Sequence, residues 1–98
     1  MPADAWRLFE AVAQLILAMA AEQPVVLATD DLQWCDSDSC SLLHFLIRRL
    51  EDAPVLWCGM LTLGELRRDA PAARLCRALR VRPRTTVVTL TPLSEDEI

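Results

Sequence analysis

Between Asp4 and Glu22 apolar side chains recur at helical spacing, with Leu8, Val12, Leu15 and Met19 in one stripe and Phe9 and Ile16 widening it. The pattern predicts a first helix, which Gln23-Pro24 ends. Val25-Val26-Leu27-Ala28-Thr29 then runs without polar alternation into Asp30 and Asp31, as expected of a short parallel strand buried on both faces. A loop of aspartates and serines follows, with Asp38 or Ser39 able to cap a second helix carrying Leu42, Leu43, Leu46, Ile47 and Leu50. Pro54 precedes a second apolar strand, Val55 to Met60, with Gly59 marking its end. One turn is expected between Glu65 and Arg68. Asp69 and Pro71 suit the start of a third helix, with Ala72, Leu75, Cys76 and Leu79 on one face. Thr85 to Leu90 is β-branched and reads as a third strand, and Ser94-Glu95-Asp96-Glu97 as a helix N-terminus.

Helices and strands alternate without repeats, which predicts a three-layer α/β arrangement around a parallel sheet of about three strands with three helices. At 98 residues the chain is one domain at most, near the size at which burying enough apolar surface becomes difficult. A hydrophobic fraction of 53% with 24% charged residues excludes a disordered or fibrous chain.

Ten basic against fourteen acidic residues give a net charge of -4, and no basic run could neutralise several phosphates. Direct nucleic-acid contact by this segment is therefore not expected. All ten basic residues are arginine, so chemistry that requires lysine is excluded. Cys35, Cys40, Cys58 and Cys76 match neither a C-x-x-C pair nor a zinc spacing and read as reduced, structural thiols. The apolar stretch Ala11 to Ala21 is too short for a bilayer, which needs about 20 apolar residues. It also lacks the positive flank of a secretory signal, so no membrane role is expected and the cytoplasm is the expected compartment.

The candidate chemistry lies where the first strand ends. Ligands gather at the carboxyl ends of strands in open parallel sheets, and Asp30 and Asp31 stand at such an end. One aspartate closing an apolar strand suits Mg²⁺, which prefers hard oxygen ligands and keeps much of its water, while a second carboxylate can orient an attacking water. Paired acids at a strand end are also common as plain solvated loop starts. Other readings fail on residue type. Asp36-Ser37-Asp38-Ser39 opens like a calcium loop, but Ser41 stands where glycine is needed and Ile47 where the closing glutamate belongs. A phospho-receiver domain requires a lysine. His44 has no partner at ligand spacing and reads as a packing or surface residue, and the tryptophans read as core or loop anchors.

The longer string Val25-Val26-Leu27-Ala28-Thr29-Asp30-Asp31-Leu32-Gln33-Trp34-Cys35-Asp36 is more specific. It resembles the Walker B segment of the STAND and AAA-like P-loop ATPase domains of bacterial LuxR-type transcriptional regulators, whose usual form is an apolar strand followed by Asp-Asp-Leu-His/Gln-Trp-Ala-Asp. The likeness extends over nearly the whole chain. Leu42-Leu43-His44-Phe45-Leu46 looks like the helix after that motif, Pro54 to Gly59 like the next strand, and Leu93 to Glu97 like the Pro-Leu-Ser-x-x-Glu segment that closes the core.

The resemblance implies a partial P-loop NTPase-like domain over residues 1–98, serving signal transduction with ATP and Mg²⁺ as cofactors of the intact module and the rest of a parent regulator as partner. It makes Asp30 the Mg²⁺ acid acting through water, Asp31 the water-orienting catalytic carboxylate, and Asp36 a supporting acid in cofactor binding. Family members end the second strand with Gly-Thr-Tyr-Arg, whose polar residues lie near the terminal phosphate, where this chain reads Gly59-Met60-Leu61-Thr62, so Thr62 replaces the arginine and Met60 the threonine. The phosphate loop G-x-x-x-x-G-K-[ST] is absent, because Gly59 and Gly64 have its separation but are followed by Glu65 and Leu66. The strand that carries this loop lies, in the family, between the second and third strands here. The implied sheet is therefore incomplete, with uncovered edges, marginal stability and no ATP binding or hydrolysis by the isolated chain. A non-catalytic interaction scaffold is the competing reading.

Overall fold

The computed structural model describes residues 3–97, and the side chains of residues 4–96. Helix α1 (Ala3–Ala20) leads into strand β1 (Val25–Thr29), the 3₁₀ turn Leu32–Trp34 and helix α2 (Ser37–Arg49). Strand β2 (Val55–Gly59), a 3₁₀ turn at Leu63–Glu65 and helix α3 (Pro71–Arg80) follow, and a last 3₁₀ turn spans Glu95–Glu97. The strands pair in parallel, from Val25 opposite Val55 to Thr29 opposite Gly59. A parallel pair needs a crossover between its strands, which α2 provides.

All three helices pack on one face of this sheet. One core cluster joins Ala13 and Ile16 of α1 to Leu46 and Leu50 at the end of α2, against Val25, Leu27 and Val55. The second joins Ala72, Leu75 and Leu79 of α3 to Leu32 and Cys40, against Trp57. Because side chains alternate along a strand, the odd-numbered residues of β1 and β2 lie under the helices and the even-numbered ones face the other way. Val26 and Leu56 on that other face are 66% and 63% exposed, and Ala28 and Cys58 are exposed as well. The described residues thus form two layers, where an unbroken apolar strand predicts three. The run is apolar enough for cover on both sides, but the described residues supply cover for one.

The expected third strand does not form. Residues 85–94 have no regular secondary structure and are exposed, with Val88 at 75% and Leu90 at 87%. β-propensity measures fit to a neighbouring strand and a packed face, and here Thr85 to Leu90 has neither. Arg82 and Arg84 hold the base of this segment against the turn before β2. Arg82 Nη2 lies 2.8 Å from Glu51 Oε2, and Arg84 Nη1 donates to the Glu51 carbonyl at 2.6 Å. The Cα radius of gyration, 15.3 Å, exceeds the roughly 13 Å of a compact domain of about 100 residues, in keeping with an extended exposed segment.

Helix boundaries agree with the sequence pattern more closely than helix phases do. In α1 the buried line is Phe9, Ala13, Ile16 and Ala20, while Leu8, Leu15 and Met19 of the expected stripe face solvent. The helix is apolar around most of its circumference, so periodicity alone could not choose the buried side. Small residues settle it, since Ala13 and Ala20 permit close approach to a neighbour. Aromatic packing fixes the same face, with Trp6 edge-on to Phe45 at 5.3 Å and Phe9 tilted against it at 5.7 Å. Helix α2 begins earlier than expected, at Ser37, with Asp36 as N-cap in place of Asp38 or Ser39. Helix α3 places Pro71 in its first turn as predicted and buries Ala72, Ala73, Leu75 and Leu79. The turn expected at Glu65 to Arg68 forms slightly earlier, at Leu63–Glu65, and the C-terminal helix start is the 3₁₀ turn Glu95–Glu97.

Candidate functional site

The two strands do not end together with their ladder. Met60 N donates to the Thr29 carbonyl at 2.8 Å, and Leu32 N donates to the Met60 carbonyl at 2.9 Å. Asp30 and Asp31 are therefore looped out between two hydrogen bonds to one residue, at the carboxyl end of the sheet. Making that loop requires a left-handed backbone, and Asp31 adopts it, with φ 51° and ψ 44°. Aspartate tolerates this region better than most residues, yet it is still strained relative to glycine. The loop is closed by Asp30, whose Oδ1 accepts the Asp31 N–H at 2.8 Å. Both carboxylates are exposed.

Gln33, in the turn that follows, is 5% exposed and is the buried polar residue of the described core. Its amide spans to the loop after β2. Nε2 donates to Glu65 Oε2 at 2.9 Å, and Oε1 accepts the Thr62 N–H at 3.1 Å. A buried amide with both ends bonded fixes the distance between the two loops it joins. Thr62 is thereby tied to the turn that follows the acids, although residues 34 to 61 separate it from Gln33 in the chain. Glu65, which spoils the apparent phosphate loop, serves as the second anchor of this tie. The sequence offers no local signal for it, since the partners of Gln33 are set by how β2 pairs with β1.

Beneath the site, Trp57 Nε1 donates to Thr29 Oγ1 at 3.0 Å and lays its ring along Gly59. A Cβ added at Gly59 would stand 2.6 Å from two ring carbons. Gly59 is thus required by a neighbouring side chain. Of the three tryptophans, Trp57 is the core anchor that was expected of the group; Trp6 packs on Phe45 at the surface and Trp34 is largely exposed.

Asp36 stands apart from the acidic pair. It caps α2 with an extended backbone and makes no side-chain cap hydrogen bond of good geometry. The Ser39 hydroxyl and the Ser39 and Asp38 amides still lie close enough to hold its carboxyl below the usual range. Among the described residues no hydrogen bond joins it to Asp30 or Asp31. His44 lines a shallow groove between α2 and α3 with Ser37, Ser41 and Arg74. Burial pushes the Cys40 thiol up to about 12, with further contributions from the adjacent Cys35 thiol and the charge on Asp36. Burial also raises the Cys76 thiol.

For a divalent cation the donor set suits Mg²⁺ in one respect. An exposed carboxylate at a strand end can hold an ion that keeps most of its water, and no group of three or more ligating side chains is present among the described residues. For nucleotide phosphates the fit is poor, because the chain has no lysine and Glu65 follows Gly64.

Comparison with known families matches residues 1–58, more than half of the chain, to the AAA ATPase domain. The chain belongs to the AAA ATPase domain family. The matched range contains α1, β1, the acidic pair, α2 and nearly all of β2, and it stops before Thr62. An ATPase module is therefore the setting in which these residues stand, and its small parallel α/β structure is compatible with a partial P-loop NTPase-like fold. No curated protein and no solved structure matches the chain. No helix among the described residues is long and apolar enough to cross a membrane.

Proposed function

We propose that this AAA ATPase chain supplies the metal and water half of an ATP site in a signalling ATPase of the STAND type, as found in LuxR-type transcriptional regulators. The observation that carries the reading is the strained loop at Asp31. An exposed left-handed aspartate costs about 1 kcal/mol relative to an unstrained residue and is retained most readily where its position serves chemistry.

In this reading Asp30 holds Mg²⁺ through water, and the ion supplies charge neutralisation at the phosphates when bound. Asp31 orients the attacking water, and Gln33 ties the loop carrying Thr62 to the turn that follows the acids. Asp36, expected from the motif as a supporting acid, caps α2 apart from the pair in this arrangement. The phosphate grip comes from residues outside this chain, or was lost, and the missing arginine after β2 lowers any hydrolysis further. Binding of Mg-ATP to the isolated chain is expected to be too weak to saturate at micromolar nucleotide. Isothermal titration tests this, and micromolar affinity would sink the claim that the grip lies elsewhere. Translation of the coding frame immediately upstream of Met1 tests the module itself. A loop ending Gly-Lys-Ser/Thr there supports it, and its absence favours a degenerate relative.

A second reading is a non-catalytic scaffold that packs through its sheet. It is favoured by the exposed Val26 and Leu56 and by two strand edges that no strand among the described residues pairs with. A monomer on size exclusion with cooperative unfolding argues against it.

A further inference from the structure

Cys35 and Cys40 flank the N-cap of α2, Cys35 immediately before Asp36 and Cys40 in the fourth helical position. These are the positions at which a helix entry is closed by a contact between side chains before and after the cap. Here the Cys40 thiol reaches back to the Cys35 backbone, and both side chains pack in one cluster. Cys40 Sγ donates to the Cys35 carbonyl at 3.8 Å, and the first helical turn is closed by Cys40 N donating to the Asp36 carbonyl at 3.0 Å. Cys40 is buried and Cys35 half-buried, so one thiol of the pair can be reached from solvent while the other waits behind it. Both side chains belong to the cluster that holds Leu32, at the foot of the acidic loop. All four cysteines are free.

We propose that Cys35 and Cys40 form a disulfide on exposure to peroxide, a modification that locks the entry of α2 to the turn carrying the acidic pair. The half-buried Cys35 sulfur attacks the peroxide O–O bond, becoming a sulfenic acid and releasing water. The Cys40 sulfur then attacks Cys35, the S–O bond breaks, and a second water leaves with the Cys40 proton. Two thiols are oxidised, one peroxide is reduced, and two waters form. Burial raises the Cys40 thiol and so disfavours the thiolate that the second step uses. Cys76 is the competing partner, because it packs against the same cluster from α3. Cys58 is exposed on the bare sheet face and would join separate molecules instead.

The test uses the full chain, alongside a Cys58→Ser/Cys76→Ser variant that retains only the pair. After treatment with hydrogen peroxide the intact mass of the Cys58→Ser/Cys76→Ser variant is expected to fall by two hydrogen atoms and to recover with dithiothreitol. Cleavage before Asp36 or Asp38 separates the two cysteines in sequence. The fragments should therefore stay joined until reductant is added, and Cys35→Ser or Cys40→Ser should reduce the linked product to background. A gain of oxygen at Cys35 without linkage, fragments that part without reductant, or a link to Cys76 in the unsubstituted chain would each overturn the proposal. If the double variant does not fold by circular dichroism, the linkage map of the unsubstituted chain decides.

Discussion

The Gln33 amide nitrogen lies 2.9 Å from the Glu65 carboxylate, while its oxygen accepts the Thr62 N–H, so one buried side chain joins the loops that follow both strands. Replacing it with leucine keeps the volume but leaves the Thr62 N–H and the Glu65 carboxylate without their partner. Gln33→Leu is expected to destabilise by about 1–3 kcal/mol, the cost of stranding polar groups in a partly buried site. Urea unfolding followed by circular dichroism measures it. A change near zero would show that the tie is dispensable.

Gly59 offers a steric test of the neighbouring contact. A methyl group there meets the Trp57 ring, which its hydrogen bond to Thr29 holds in place. Gly59→Ala should cost about 1–3 kcal/mol through overpacking. The cost should shrink when Trp57 is changed to Leu, because the obstacle is then removed. A double-mutant cycle by thermal unfolding reads the coupling, and additive effects would exclude this contact as the cause.

At Asp31 the prediction has the opposite sign. Left-handed backbone costs a non-glycine residue roughly 1–2 kcal/mol, and a new glycine costs about 0.4–1 kcal/mol through the unfolded chain. Asp31→Gly should therefore stabilise the chain by up to about 1.6 kcal/mol while deleting the proposed water-orienting carboxylate. A lower melting temperature in this variant would remove the strain argument that supports the functional reading.

The surface pair between Glu10 and Arg49 sets an acid response. The Arg49 guanidinium, with help from Gln14, holds the Glu10 carboxyl below its ordinary value of 4.5. A carboxyl with a lowered folded value stabilises fully above the ordinary value and loses that stabilisation as pH falls through the folded one. Melting temperatures below about pH 4.5 should thus decline less steeply in Glu10→Gln than in the parent chain, with the two curves separated above it. Parallel curves across that window would show that the pair carries no linkage.

Val26 and Leu56 test the bare sheet face. Both are largely exposed, so replacing them with threonine should change stability by no more than about 0.5 kcal/mol. Self-association measured by sedimentation should fall. A large loss of stability would mean that the face is covered in solution by another copy.

Much of this molecule is legible in the sequence. Helical spacing and proline positions located α1, α2 and α3, and the short apolar runs located β1 and β2, because these signals are local and each element carries its own. The likeness of Val25 to Asp36 to an ATPase segment agrees with the family match over residues 1–58. The positions of Asp30 and Asp31 at a strand end followed from the same string.

What depends on distant neighbours was decided only by the tertiary structure. Thr85 to Leu90 has strand composition and remains extended without pairing, since a strand needs another strand's hydrogen bonds. The apolar surface of α1 runs most of the way round, so the buried line through Ala13 and Ile16 was chosen by what α2 could approach closely. Gln33 looked like one letter of a motif, yet its partners lie across the sheet. Chain order alone determined which residues could carry chemistry at the end of β1; the parallel pairing of β1 with β2 decided their geometry, because Met60 sets the width of the acidic loop and Gln33 its distance from Thr62.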